Sequence, residues 1–197
     1  MTDSPPAGSP RLYLASRSPR RRELLDQIGV HYQVVDVDID ESTRAGESAH
    51  DYVLRVARDK AMFAHATLPA DALVLAADTS VVLDGVILGK PGNAEHALHM
   101  LRSLAARTHQ VLTGVALSAT TCTTRVSASE VRFRALSDHE LRAYIATGEP
   151  LGKAGSYAIQ GRAAVFIAHL QGSYSGVMGL PLFEVAQMLD SYQIDGG

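Results

Sequence analysis

The chain is 197 residues long, 46% apolar and 20% charged, with a formal net charge of −3. That length fits one domain with a sizeable core, and the mild negative charge excludes a global basic field that would draw the chain to nucleic acid or a membrane surface. A lone cysteine, Cys122, excludes an internal disulfide and a cysteine metal cage and points to a reducing compartment, the cytoplasm, while no apolar run reaches the roughly 18 residues of a membrane span.

Residues 1–10, with Pro5, Pro6, Gly8 and Pro10, carry neither a basic n-region nor an apolar h-region and read as a loose tail. Residues 11–15 read as a short buried strand. Ser18 and Pro19 then predict an N-cap and first helical position, with the helix ending at Gly29. Residues 32–37 read as a second strand, followed by an acidic loop, Asp38 to Glu41. Ser48 caps a helix to about Ala66, whose apolar stripe is Val53, Val56, Ala57, Ala61 and Ala64.

Ala72–Ala77 is a continuous apolar run, expected of a buried central strand. Asp84-Gly85, between Val81-Val-Leu83 and Val86-Ile-Leu88, predicts a two-residue hairpin. Asn93 caps the next helix, with Leu98, Leu101 and Leu104 inward. Two long strands follow, over 108–119 and 123–134. A capping box at Ser137–Glu140 opens a helix that ends at Gly148. Residues 163–170 read as a strand, and Pro181 opens the last helix. Hairpins mixed with crossovers imply α/β architecture with a mixed sheet.

The informative residues break local rules. Arg20, Arg21 and Arg22 crowd the first turn of a helix, where the dipole disfavours cations. A phosphate bound there, on free N–H groups with the hydroxyls of Ser16 and Ser18, would resolve the conflict; a solvated basic turn is the plainer reading. Lys60 falls on the apolar stripe, four residues after Val56, either as a functional cation or as a lysine that snorkels to the rim. Asp78 ends the apolar run, where open α/β sheets bind ligands, and can take a proton or hold a divalent metal. The alternative is an aspartate that starts a turn.

Weaker signals are Glu41, a possible second oxygen ligand for magnesium in an otherwise solvated acidic loop, and Lys90, beside Gly89. Gln160, in a loop bounded by Gly155 and Gly161, has an amide able to read a base edge, or is a plain surface glutamine. The stretch Gly85–Lys90 lacks Walker A spacing, Tyr174 occupies the serine position of an apparent nucleophile elbow, and His96 with His99 is no zinc motif. Cys122 reads as inert strand packing.

Seven segments in order resemble the Maf family of septum-formation-inhibitor-like nucleotide pyrophosphatases: Leu14–Arg21, Ala76–Thr79, Leu88–Pro91, Arg107–Gly114, Glu149–Gly155, Ile159–Gly161, and Gly172 through Pro181. The resemblance spans Leu12 to Leu189. It implies an elongated, two-lobed mixed α/β fold with a central cleft, similar to inosine triphosphatase, as one domain over 11–197. It also implies a homodimer and a divalent metal cation, Mg2+ or Mn2+. The implied activity takes a small-molecule nucleoside triphosphate, not nucleic acid, to the monophosphate plus pyrophosphate.

In that likeness Asp78 is the proton acceptor, and Ser16, Arg21, Glu41, Lys60 and Lys90 line the site. Asp78 and Glu41 would hold the metal. Substrate choice falls to Arg20, Thr79 and Gln160, a trio similar to the dTTP and UTP branch; the 7-methyl-GTP branch carries an aromatic residue in place of Arg20. A non-catalytic nucleotide sensor in cell division is the alternative from another class. Gly176, where relatives often carry a side chain, and Arg162 depart from the family pattern.

Overall fold

The computed structural model describes residues 12–192 and Ile194; the expected tail, residues 1–10, lies outside them. In chain order the elements are β1 (Leu12–Leu14), α1 (Pro19–Gln27), β2 (Gln33–Val34), α2 (Ala49–His65), β3 (Leu73–Leu83), β4 (Val86–Leu88) and α3 (Ala94–Leu104). Then follow β5 (Thr108–Ser118), β6 (Cys122–Phe133), α4 (Asp138–Ile145), β7 (Ile167–Gln171), α5 (Tyr174–Met178) and α6 (Leu182–Asp190). The strands form one mixed sheet in the order β2-β1-β3-β5-β6-β7, with β4 also on β3. The ladders of β1 with β2 and β3 are parallel and the others antiparallel.

β3 is the axis of the molecule. Side chains alternate across a strand, and both faces of this one are covered. Leu73, Leu75, Ala77, Val81 and Leu83 enter the larger core with Leu24 and Leu25 of α1, Leu98 and Leu101 of α3, and Val185 of α6. Val74 and Ala76 pack instead with Ala57, Ala61 and Ala64 of α2, and Val82 meets Val53 of the same helix. Gly114 of β5 lets α2 lie this close: a Cβ there would stand 2.6 Å from the Val53 carbonyl carbon.

One edge of β3 is paired throughout by β5, from Val74↔Ser118 to Val82↔Gln110. The other edge is shared. β1 pairs as far as Leu14↔Leu75, and β4 takes over at Val81↔Leu88. Residues 76–80 between them have no strand partner on that side among the described residues. The cleft opens at this gap in the sheet.

Four expectations change. Asp78 does not end its strand; β3 runs on through Asp78, Thr79 and Ser80, because β5 supplies ladder partners Gly114, Thr113 and Leu112. The second strand shrinks to Gln33–Val34, an exposed edge piece with only three-residue β1 to pair against. The first half of the expected 163–170 strand is a 3-10 turn, Arg162–Phe166, because the Glu149 carboxylate accepts from the N–H of Arg162 at 2.9 Å and of Ala163 at 3.5 Å. α5 was not anticipated; Ser173 caps it by accepting from the Gly176 N–H. The hairpin forms as expected, with positive φ at Asp84 and Gly85 (50° and 80°).

Candidate active site

A cavity of about 430 Å³ lies over the gap in the sheet. Its walls come from the β1–α1 turn, Glu41, Lys60 of α2, Asp78 and Thr79 of β3, Lys90, residues 152–154, Tyr157 and Ile159, with Val177 and Met178.

Asp78 sits opposite Gly114, so both Cβ directions face α2. There Lys60 waits, four residues after Val56 on the buried stripe. It does not snorkel outward. Its Nζ donates to Asp78 Oδ1 at 2.9 Å and lies 2.7 Å from Glu41 Oε1, and only 11% of the Lys60 and Asp78 side chains is exposed. A buried charge survives only when paired, and this one is paired twice. Glu41 also lies 3.7 Å from Lys90 Nζ. Burial acts to raise the Glu41 pKa, but the Lys60 hydrogen bond and the charges of Lys60, Lys90 and Arg21 prevail and hold it below the ordinary value. Tyr52, eight residues before Lys60 on α2, fixes the loop by donating its hydroxyl to the Glu41 carbonyl at 2.8 Å.

Thr79 points to the opposite face of β3. Its hydroxyl shares a 2.9 Å hydrogen bond with Thr113, which donates to the Gly176 carbonyl at 2.8 Å. Arg21 reaches the same point. It donates to Thr79 Oγ1 at 3.3 Å, to Ser16 Oγ at 3.2 Å and to the Gly179 carbonyl at 2.7 Å. Burial lowers its pKa, Asp78 opposes that, and Arg20 adds to it. The helix start is thus built differently from its sequence signature. Ser18 holds the N-cap position without a side-chain cap bond, and Ser16 takes the Ser18 N–H at 3.2 Å.

The three arginines part ways. Arg21 turns inward, Arg20 donates to the Met178 carbonyl at 3.2 Å, and Arg22 is exposed and away from the cavity. Both inward arginines therefore grip the carbonyl end of α5, where a helix favours cations. The structure brings Ser16, Arg20, Arg21, Glu41, Lys60, Asp78, Thr79 and Lys90 into one cavity wall. Gln160 is exposed and stands just past the lining residue Ile159, outside the wall itself. Tyr52, Gly114 and Lys153 were given no role by the sequence reading. Lys153 lay in the Glu149–Gly155 segment, and Tyr52 begins the Lys60 face of α2, but neither breaks a local rule.

Among the described residues no three His, Cys, Asp or Glu side chains gather as a ready-made metal site. Asp78 and Glu41 do converge on one cation, the Lys60 ammonium, and two carboxylates completed by substrate phosphates are a donor set that suits magnesium. The residues fit such an ion when it arrives with a phosphate ligand.

The arrangement is a cleft lined by cations, with one buried ammonium, that of Lys60, held between two carboxylates. The family model described as Maf-like protein matches residues 11–192, and the chain belongs to that family. It is 56% identical to the dTTP/UTP pyrophosphatase of Alkalilimnicola ehrlichii over 195 residues, 96% of each chain. It is also 56% identical to the dTTP/UTP pyrophosphatase of Methylococcus capsulatus over 180 residues, 91% of this chain and 89% of that one. A crystal structure of the dITP/XTP pyrophosphatase of Mycobacterium abscessus is similar with a TM-score of 0.41 and 18% identity, over 62% of this chain and 74% of that chain.

Proposed function

We propose that the protein hydrolyses dTTP and UTP to the monophosphate and pyrophosphate. The observation that carries this is the Lys60 bridge between Asp78 and Glu41 inside a cavity that also holds Arg21 and Lys90. The names and identities of the relatives support the same reading.

The chemistry follows from the chain's own groups. Ser16, Arg21 and the free N–H groups of the α1 start bind phosphate oxygens. Lys90 and Lys60 add charge on the other side of the phosphate chain. Asp78 Oδ1 is held by Lys60, while Oδ2 has no hydrogen-bond partner among the described residues. Oδ2 orients a water molecule for in-line attack at the α-phosphorus and takes its proton. The α–β bridging oxygen leaves with pyrophosphate, and the added hydroxyl stays on the monophosphate. Asp78 and Glu41 would hold Mg2+ or Mn2+ with the substrate, and that ion supplies charge neutralisation on the phosphate oxygens.

The homodimer expected from the resemblance belongs to the same reading, and light scattering tests it. No helix among the described residues is long and apolar enough to cross a membrane, and a cytoplasmic location is part of the proposal. The deciding experiment is a panel of nucleoside triphosphates with pyrophosphate as the readout. Release from dTTP and UTP well above CTP, dATP and 7-methyl-GTP is expected. Binding without pyrophosphate release under any divalent metal would favour a nucleotide sensor, and a preference for 7-methyl-GTP would move the chain to the other branch.

A further inference from the structure

Two kinds of cation line the cavity. Lys60 and Lys90 are joined to Asp78 and Glu41 by ion pairs. Arg20 and Lys153 have no carboxylate partner in an ion pair among the described residues. Burial lowers the pKa of both, and Arg20 lowers that of Lys153 further while Glu149 opposes. Two cations without a salt bridge therefore face the same cavity.

Both are placed by built structure. Arg20 is anchored through Nε to the Met178 carbonyl, which leaves its terminal nitrogens for the cavity. The backbone of Lys153 is spent within its own loop: its N–H donates to Pro150 O at 3.2 Å and its carbonyl accepts from the Ser156 N–H at 3.1 Å. The loop is clipped to the hairpin by Gly155 N–H to Gly89 O at 3.1 Å, and a Cβ at Gly155 would collide with the Val81 side chain at 2.8 Å. Ser156, fully buried, is forced to a φ of 63°. A non-glycine residue held there costs energy, and such strain persists where the surroundings over-determine it.

The walls beside this pair are apolar and aromatic. Tyr157 and Ile159 follow Lys153 on the same stretch of chain, and Met178 carries the Arg20 anchor. Phosphates have no use for such walls, whereas a planar base does. We propose that Lys153 is a specificity residue, which together with Arg20 donates hydrogen bonds to the carbonyl oxygens of a 2,4-dioxopyrimidine. This rests on the dTTP and UTP reading above. Uracil and thymine share C2 and C4 carbonyls and differ only by a methyl group, so a site for both reads the oxygens. Lysine and arginine donate and never accept. Cytosine presents an amino group in place of the C4 carbonyl, and donor would meet donor.

The test is kcat/KM for UTP, dTTP and CTP with wild type, Lys153→Met and Lys153→Arg, each checked by thermal melting. A site built to hydrogen-bond its substrate strongly rejects an analogue that leaves those bonds unmade, so the UTP-to-CTP ratio is expected to fall at least about tenfold in Lys153→Met. Lys153→Arg, which keeps a donor, should restore most of it. An equal loss on UTP and CTP would make Lys153 a ligand of the phosphate chain and overturn the proposal, as would an unchanged ratio. If wild type itself shows no preference for UTP over CTP, the functional reading falls too, which the wild-type arm alone reveals.

Discussion

Asp78 and Thr79 are adjacent on β3, point to opposite faces of the sheet, and line the same cavity. That is possible only because the β3 edge between β1 and β4 is unpaired, so the cavity wraps around it. One residue faces Lys60 and the acidic loop; the other faces Arg21 and α5. A single strand thereby presents a carboxylate from one face and a hydroxyl from the other to the same cavity.

Asp78→Asn keeps the shape and the Lys60 hydrogen bond but removes the proton acceptor. Turnover on UTP should drop by at least about 10²-fold, the lower end of general base catalysis. Circular dichroism should show the fold intact. Pyrophosphate release at the wild-type rate would remove Asp78 from the chemistry.

Lys60→Met leaves two carboxylates facing each other with no cation between. Breaking a buried pair by removing one partner costs about 3 kcal/mol or more. Urea unfolding should show that loss, and the double variant with Asp78→Asn should lose less than the sum of the two. Additive losses would mean the pair is not coupled.

Gly114→Ala tests the packing that aims Lys60. The added methyl meets the Val53 carbonyl, so α2 must move away from β5. Overpacking of this kind costs roughly 1–3 kcal/mol. Because Lys60 rides the same helix, activity should fall in the folded fraction too. A variant that is both stable and fully active would contradict the close approach.

How much of this was legible beforehand depended on whether a signal was local. Lys60 on an apolar stripe and Asp78 after an apolar run are breaches visible in any short window, and both mark the site. That β3 would run through Asp78 was not visible, because the partner that sustains it, β5, is some 35 residues away in sequence, at Gly114. The 3-10 turn at Arg162 was hidden likewise, since Glu149 makes it from 13 residues off. The glycine-bounded loop drew notice to Gln160, yet the residues of that region in the cavity wall are Tyr157 and Ile159 of the loop and Lys153 just before it.

His109 gives a pH signature. It is buried on β5, its Nε2 2.9 Å from the Tyr157 hydroxyl, and burial pushes its pKa from 6.5 down to about 4. The unfolded chain takes a proton near pH 6.5 and the folded one refuses it until about 4. Stability from this group is therefore complete above pH 6.5 and lost as pH falls towards 4, by up to about 1.4 kcal/mol per pH unit. Urea unfolding at about pH 7 and about pH 5 should show the slope, and His109→Gln should flatten it. An equal slope in both proteins would assign the dependence elsewhere.

Attack at the α-phosphorus, with Asp78 holding the water, is the centre of the account. Hydrolysis of UTP in water enriched in oxygen-18 tests it directly, by mass spectrometry of both products. The label should enter UMP, and the pyrophosphate should carry none. Label in the pyrophosphate, or release of orthophosphate with UDP, would place the attack at another phosphorus and contradict the account.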